Sequence, residues 1–479
     1  MLLYTPTYLL FLALVVLLYW VLPRREWQVS FLLAASYIFY LLFDLRFAIL
    51  LFALTVVVYF LGKAIPGSAH PRRLAFLSIT LNLGLLAFFK YLDFFIHSAS
   101  SALQFLGLEM QPAALGLLLP IGISFYTFQA ISYTTEIYRR KLTPAGSFLD
   151  FSLYMAFFPK LIAGPLIRPQ RFLAQLETGR GVFPRQQMAP ALQLLLLGLF
   201  KKIVIADSLA SLADVAFRAA DFPGAGLSFP TPLYIQGFYL YAFQIYADFS
   251  GYTDIALASA GLLGFELPEN FRQPYLAATV TDFWNRWHIS LTQWFREYMF
   301  FPLSRSMLKA TRRAYPRLVQ ISANLITMAV IGLWHGAAWS FIAWGAWHGI
   351  LLSFERLLKY KPGPGWRAFL SGLLSFHLVG LGWVLFRSSS LAAAQRFLGG
   401  LFAFQQMDGL WSYLPPILLA AGLVFGIDLL ASARLPLLAG RLKNWRATLS
   451  IAALVLLVGL SLLGLARGAD ARPFIYAQF

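Results

Sequence analysis

Phe283-Trp-Asn-Arg-Trp-His-Ile-Ser-Leu291 and Gly332-Leu-Trp-His-Gly336 are the two phrases on which the interpretation of this chain depends. Between residues 283 and 349 lie three of the six histidines and seven of the thirteen tryptophans, within an otherwise largely aliphatic sequence. Imidazole is the side chain most often used for proton transfer in enzymes. We therefore expect the functional site in this window.

The first phrase predicts an amphipathic helix. Its large apolar side chains recur at spacings of three and four residues, which places them on one helix face: Trp284, Trp287, Leu291, Trp294 and Tyr298. A wide aromatic face with basic residues elsewhere is typical of a helix that lies in a membrane interface.

The second phrase lies in an apolar run, 321–346. A helix that starts near Leu318 would place His335 roughly 25 Å along its axis, deep in the membrane. The spacing of Gly332 and Gly336 predicts close approach of another backbone beside that histidine. We expect the chain to turn near Trp344 and to place His348 at the outer end of a helix, in a structural role.

Composition predicts the fold class. Hydrophobic residues make up 59% of the 479 residues and charged residues 12%, unlike a soluble domain. About eleven apolar segments have the roughly 17–25 residues that a bilayer span needs. We expect an all-α polytopic membrane protein with re-entrant and interfacial helices in addition. It would form a single domain, 1–479, with its motif core at 117–349.

The net charge of +18 has a topological explanation. Lysine and arginine cluster between the apolar segments, as the positive-inside rule requires, and no soluble basic domain is present to hold nucleic acid. The rule places the loop 266–317 in the cytoplasm and the tail 467–479 outside. The chain has no cysteine, which excludes disulfides and thiolate chemistry.

Two segments are predicted to break the helical pattern. The span that follows Pro120 and Gly122 carries Ser, Tyr, Thr and Gln side chains that lipid would not tolerate, so it should line a cavity or pack in the interior. The segment 157–169 has three prolines and is expected to be kinked or re-entrant.

Four charged residues are predicted to lie within spans. Lys201 and Lys202, near a helix end, are expected either to snorkel to the interface or to meet a phosphate-bearing ligand. Asp248 and Asp254 are the acids of an apolar segment, and such carboxylates usually face a partner or a pathway.

Seven ordered phrases together resemble the membrane-bound O-acyltransferase family, in the bacterial branch typified by the alginate O-acetylation protein. They are Leu-Pro-Ile-Gly-Ile-Ser-Phe-Tyr-Thr-Phe-Gln (119–129), Phe-Phe-Pro-Lys-Leu-Ile-Ala-Gly-Pro (157–165), Leu-Gly-Leu-Phe-Lys-Lys (197–202), Tyr-Ala-Asp-Phe-Ser-Gly-Tyr (246–252), Leu-Pro-Glu-Asn-Phe (267–271), Arg-Trp-His-Ile-Ser-Leu (286–291) and Leu-Trp-His-Gly-Ala (333–337). The resemblance covers nearly the whole chain, and no single phrase would establish it.

The resemblance implies a helical bundle with a funnel on each side of a thin partition, in the bacterial inner membrane. A cytoplasmic thioester, acetyl-CoA or an acyl-carrier protein, would donate an acetyl group. Separate extracytoplasmic acetyltransferase partners would complete its delivery to a polysaccharide such as alginate. No bound cofactor or metal is expected.

The same resemblance places the family's invariant histidine at His335 and its second motif histidine at His288. A hydroxyl is a poor nucleophile, and a neutral imidazole within reach can take its proton in the transition state. The alternative for His335 is a bond to a backbone carbonyl where a helix bends. His288 would act in the chemistry, orient the donor or tie its helix to neighbouring ones.

The donor would bind near the cytoplasmic mouth. Arg286 and Arg296 are expected to attract the phosphates of CoA or of a phosphopantetheine arm, with Trp287 and Asn285 beside them.

The tail 467–479 contains the phrase Phe474-Ile-Tyr-Ala-Gln-Phe479. Aromatic residues are enriched at membrane interfaces, so Tyr476 could be an anchor. Related envelope-acylation systems carry a similar ending, which implies instead that the Tyr476 hydroxyl accepts the acyl group and passes it outward.

Three other functions were weighed against acetylation of a polysaccharide. The first is a related acyltransferase that acts on teichoic acid, as a D-alanyl transferase, or on peptidoglycan or cellulose. The second is a transporter of polysaccharide or lipid-linked sugar, which the broken helices and intramembrane acids would permit but which should show a repeat between the two halves. The third, an assembly scaffold, would not need His335.

Overall fold

The computed structural model describes residues 2–108, 115–177, 185–222, 229–431 and Ile475. These residues form helices and connecting segments, with no strand among them. The all-α prediction is therefore confirmed. The chain divides into two compact units, one of Met1–Leu192 with Ala256–Pro268 and one of Gln193–Ile255 with Glu269–Phe479. The prediction of a single domain remains a prediction.

Within the described residues, the first unit contains nine helices and parts of two more. The helices are α1 (Pro6–Val21), α2 (Arg25–Leu41), α3 (Leu45–Ala64), α4 (Pro71–Leu86), α5 (Leu92–Phe105), α6 (Ile123–Tyr138), α7 (Phe148–Ala156), α8 (Phe158–Leu161) and α9 (Pro169–Glu177). A π-helical turn, Ala87–Tyr91, joins α4 to α5. The start of α10 (Arg185–Leu199) and the end of α12 (Thr231–Leu262) complete it.

The second unit holds the remaining helices. They are α11 (Asp207–Asp221), α13 (Val280–Arg286), α14 (Ile289–Phe295), α15 (Phe301–Ala310), α16 (Pro316–His335), α17 (Trp339–Leu357), α18 (Trp366–Arg387), α19 (Leu391–Leu401) and α20 (Leu410–Ala431). Two π-helical turns, Phe200–Ala206 and Arg296–Phe300, continue α10 and α14. Such turns occur frequently at functional sites.

Six helical segments of the described chain are long and apolar enough to cross a membrane. They are Leu45–Ala64, Pro71–Phe105, Met188–Asp221, Pro316–His335, Trp366–Arg387 and Met407–Leu429. The helix α1 is apolar but shorter. The polytopic class is confirmed and the number eleven is not. The last predicted span, 449–465, lies outside the described residues.

Both predicted breaks in the first unit are present. Gly122 has a φ of 79°, and a side chain there would lie 2.6 Å from the Leu161 carbonyl oxygen, so only glycine fits before α6. The polar side chains of α6, from Ser124 to Gln129, are buried as predicted. The segment 157–169 forms a four-residue helix followed by non-helical chain. Buried Lys160 joins it to the Gln129 side chain and the Tyr154 carbonyl.

The single amphipathic helix predicted at 283–298 is wrong. The helix breaks at His288, which has a φ of 42°, and α13 and α14 lie on either side of it. Trp284, Trp287 and Trp294 are buried in the protein. The aromatic spacing therefore reflects internal packing in the second unit. The interfacial position predicted for this stretch stays a prediction.

Candidate functional site

His335 is the last residue of α16, and the next helix begins only four residues later. Gly336–Ala338 make the turn, so the predicted turn near Trp344 is wrong and His348 lies within α17 instead of at its end. As predicted, glycine permits close packing: a Cβ on Gly332 would overlap the carbonyl oxygen of Phe341. The two helices thus meet tightly and hold the histidine at their junction.

The His335 side chain is buried, with 3% of the residue exposed. Three aromatic rings surround it, with centroid separations of 4.8 Å to Trp334, 5.0 Å to Trp344 and 5.2 Å to Phe386. The last two rings are nearly perpendicular to the imidazole. This aromatic cage fixes the ring plane and excludes bulk water from the imidazole.

His288 lies on the other side of the Trp334 ring, at a centroid separation of 6.3 Å. It is fully buried, and its ring meets Phe249 edge-on at 4.6 Å. Burial lowers the pKa of His288 to about 3, so this imidazole is neutral near pH 7. Its left-handed backbone sets the angle between α13 and α14. A bond from the Ile289 amide to the Asn270 carbonyl, at 2.9 Å, fixes that junction.

The third histidine of the window is structural in its contacts. The Trp284 indole donates to Nδ1 of His348 at 3.3 Å, and the rings of Trp284 and Trp344 pack against the imidazole. These contacts agree with the structural role expected of His348.

A cavity of about 630 Å³ lies on one side of this cluster, and we call it the basic cavity. Its charged lining consists of Arg296, Arg356, Lys359, Lys361 and Glu355. The single carboxylate is already committed, because Glu355 accepts bonds from the Val280 and Thr281 amides at 2.6 and 2.9 Å. Four basic groups therefore face a space that suits an anionic ligand.

The predicted donor-binding residues occupy different positions around this cavity. Arg296 lines it, and its guanidinium donates to the Asn285 side chain at 2.9 Å. Arg286 pairs instead with Asp282 at 2.9 Å and is not part of the lining. Trp287 is buried, with its ring 4.8 Å from that of Trp383. The structure thus brings together Arg296 and Asn285 only.

A second cavity, of about 300 Å³, adjoins the cage at Phe386, and we call it the tail cavity. Phe341 and Phe386 line it, and Phe386 is the ring that contacts His335. Its charged lining consists of Lys202, Asp207, Asp214, Asp248 and Arg387. Trp284 lines the basic cavity and packs against Trp344, another cage member, at 5.8 Å. Members of the aromatic cage thus contact residues that line each cavity, and among the described residues His335 itself is in neither lining.

The intramembrane charges pair with one another. Lys201 meets Asp254 at 2.7 Å, and Lys202 meets Asp248 at 2.7 Å and Asp207 at 2.8 Å. The Lys202 side chain is only 2% exposed. Carboxylates of the described chain therefore hold both ammonium groups, and the buried Lys202 does not snorkel, whereas the phosphate-bearing ligand stays a prediction. The expectation that Asp248 and Asp254 face partners is confirmed.

The tail cavity also contains Ile475, the one described residue of the tail 467–479. Its backbone amide donates to Oδ2 of Asp248 at 2.8 Å. Tyr476, which follows it, lies outside the described residues.

Sequence reasoning missed several lining residues. Arg356, Lys359 and Lys361 were interpreted only as topological signals, although three basic residues within six positions after an apolar helix also fit an anion site. No sequence signal marked Phe386 or Arg387, because their positions depend on how α18 packs.

The family model of the membrane-bound O-acyltransferases matches residues 111–360. This range includes His288, His335 and the basic cavity lining up to Tyr360, and Lys361 and Pro362 lie just beyond it. The chain therefore belongs to the membrane-bound O-acyltransferase family and is an O-acyltransferase. Membership also removes the support for a transporter or a scaffold.

Three acyltransferases illustrate what the chain is similar to. The probable alginate O-acetylase AlgI of Azotobacter vinelandii is 38% identical over 400 residues, which cover 82% of this chain and 76% of that protein. The peptidoglycan O-acetyltransferase of Helicobacter pylori is 34% identical over 409 residues, covering 77% and 73%. The teichoic acid D-alanyltransferase of Streptococcus thermophilus is 29% identical over 318 residues, covering 61% and 75%.

Proposed function

We propose that this chain transfers an acetyl group from a cytoplasmic thioester, through the bacterial inner membrane, toward an exported polysaccharide of the alginate kind. The observation that carries the proposal is the aromatic cage of His335, whose members contact the linings of the basic cavity and of the cavity that Ile475 lines. The alginate O-acetylase relatives, more similar than the peptidoglycan and teichoic acid relatives, support the choice of acetyl group and polymer.

The donor enters from the basic cavity. Its phosphates meet Arg296, Arg356, Lys359 and Lys361, and the thioester end extends toward Trp284 and the cage. Guanidinium and ammonium groups bind phosphate through charge-assisted hydrogen bonds. Either acetyl-CoA or an acetylated carrier protein presents such an end, because both carry a phosphopantetheine arm.

The acceptor is the phenol of Tyr476, the residue that follows Ile475 in the sequence. Its oxygen attacks the thioester carbonyl, a carbon–oxygen bond forms and the carbon–sulfur bond breaks. His335 takes the phenolic proton and returns it to the departing thiolate. A sugar hydroxyl then attacks the aryl ester, and the phenol is regenerated. Partner proteins outside the membrane carry out that second exchange.

His288 supports this chemistry indirectly, because its ring packs against Trp334 and does not contact the donor. Its neutral imidazole and fixed backbone hold the junction of α13 and α14, from which Trp284 and Arg296 reach the basic cavity. We assign His288 to orienting the donor site.

Deletion of the gene in its own host tests this function. We expect base-labile acetate to disappear from the exported polysaccharide and to return when the wild-type chain is supplied. Loss of acetate from peptidoglycan, or of D-alanine from teichoic acid, with the polysaccharide unchanged would assign the enzyme to a different polymer.

A further inference from the structure

We propose that the carboxylate of Asp248, held by Lys202, is the docking site that fixes the tail in its cavity. The inference concerns binding of the tail backbone and assigns a positioning role to two buried charges. The docking of the Ile475 backbone does not depend on the proposed function and is measured separately. Only its consequence for Tyr476 rests on the proposed function.

The first argument is that the two carboxylate oxygens of Asp248 have different partners. Oδ1 of Asp248 lies 2.7 Å from the Lys202 ammonium, and Oδ2 accepts the Ile475 amide at 2.8 Å. Both side chains of the ion pair are at most 2% exposed. A buried carboxylate is costly unless its lone pairs are satisfied. The Ile475 amide therefore completes a site that Lys202 fills only in part.

The second argument is the charge balance of the cavity. Its lining contains three carboxylates, of Asp207, Asp214 and Asp248, and two basic groups. Arg387 pairs with Asp214 at 2.6 Å, and Lys202 pairs with both Asp207 and Asp248. Because Asp248 shares its lysine with a second acid, a backbone amide on its other oxygen adds a charge-assisted hydrogen bond without adding a cation.

The third argument is that the chain is shaped to put Lys202 beside Asp248. Gly198 and Gly251 are packed backbone to backbone, and a Cβ on Gly198 would lie 2.7 Å from the Gly251 carbonyl oxygen. The π-helical turn Phe200–Ala206 directly follows this contact. Two glycines and an unusual turn thus bring the lysine to a carboxylate on α12.

Docking through a main-chain amide fixes the register of the tail. Adjacent Cα atoms are 3.8 Å apart, so anchoring Ile475 limits where the next residue can lie. The same cavity is walled by Phe386, which contacts His335. Slippage by one residue would place a different side chain beside this wall, so Asp248 and Lys202 are positioning residues for the proposed relay.

Cross-linking tests the docking directly, because the natural chain has no cysteine. We would introduce Ile475→Cys with Ser388→Cys, two residues that line the same cavity, and quantify the cross-link formed by a short bis-maleimide in membranes. We expect Asp248→Leu to lower the yield on the order of tenfold, since a hydrogen bond to a charged group is lost. Asp254→Leu, which removes the other buried carboxylate of α12, should leave it unchanged.

A second pair of variants covers the case in which Asp248→Leu does not fold. Ile475→Pro removes the amide donor without touching the buried charges, whereas Ile475→Ala keeps it. We expect polymer acetylation to fall at least tenfold more in the first variant than in the second.

The outcomes separate docking from relay. A cross-link that is independent of Asp248 overturns the docking site and leaves the proposed function standing. Equal acetylation by the proline and alanine variants also overturns it, provided that Tyr476→Phe abolishes acetylation and so shows that the relay operates. A cross-link that depends on Asp248, together with normal acetylation in Tyr476→Phe, supports the docking site and rules out the relay.

Discussion

The basic cavity and the tail cavity differ in the charged residues of their linings. The basic cavity presents four cationic groups, and its one carboxylate is bound to backbone amides. The tail cavity is lined by three acids and two bases that form ion pairs with one another. An anionic donor is therefore attracted more strongly to the first cavity than to the second.

The largest expected effect on acetyl transfer comes from substituting His335. We expect His335→Ala to lower acetyl transfer by about a hundred- to ten-thousand-fold, because no general base remains to take the acceptor proton. Thiol release from the donor in proteoliposomes measures it. The amount of inserted protein should not change, and wild-type turnover at equal amounts would remove His335 from the chemistry.

The next largest effect concerns the proposed acceptor, Tyr476, and leaves donor binding unchanged. Tyr476→Phe keeps the ring and removes only the hydroxyl, so we expect polymer acetylation to stop while the protein still binds donor. Acetate on the exported polymer and donor binding to purified protein measure the two sides separately. Normal acetylation in this variant would make Tyr476 an interfacial anchor.

A smaller effect is expected on donor binding, where the structure places Arg296 in the cavity lining and Arg286 outside it. Arg296→Gln should raise KM for the donor about fivefold and change kcat little, because one partly solvated phosphate contact is lost. Added salt should weaken donor binding by wild-type protein. Arg286→Gln is the matched control, since its guanidinium pairs with Asp282 away from the cavity. Equal effects of the two variants would argue for a different donor path.

The smallest effect on chemistry comes from the packing that supports the cage. Gly332→Ala forces a methyl group against the Phe341 carbonyl and should cost about 1–3 kcal/mol of stability. Gly84→Ala is the control, because its site has open space. Thermal unfolding in detergent should show a lower midpoint for the first variant only. Equal midpoints would mean that α16 and α17 separate without cost.

Local patterns predicted much of this architecture. Apolar length located the spans, polar residues within α6 predicted an interior helix, and glycine spacing predicted the close contact beside His335. The break at His288 could not be predicted, since no glycine or proline interrupts the helical period there. Its cause is tertiary, in the Asn270 contact and aromatic packing.

The tail contact illustrates the same limit over a longer distance. Asp248 and Ile475 are 227 residues apart in the sequence, and nothing in the type of either side chain indicates that the two residues are in contact. The carboxylate was identified as needing a partner, and only the fold shows that one of its oxygens is used by a lysine and the other by a backbone amide.

The central claim is that an acetyl group crosses the cage from a donor in the basic cavity to Tyr476 in the tail. Mass spectrometry of the peptide containing residue 476 tests it most directly, in proteoliposomes supplied with acetyl thioester and lacking the outer partner proteins. The account predicts acetyl-tyrosine at position 476 in the wild-type protein and none in His335→Ala. An unmodified peptide from protein that has demonstrably consumed donor would contradict it.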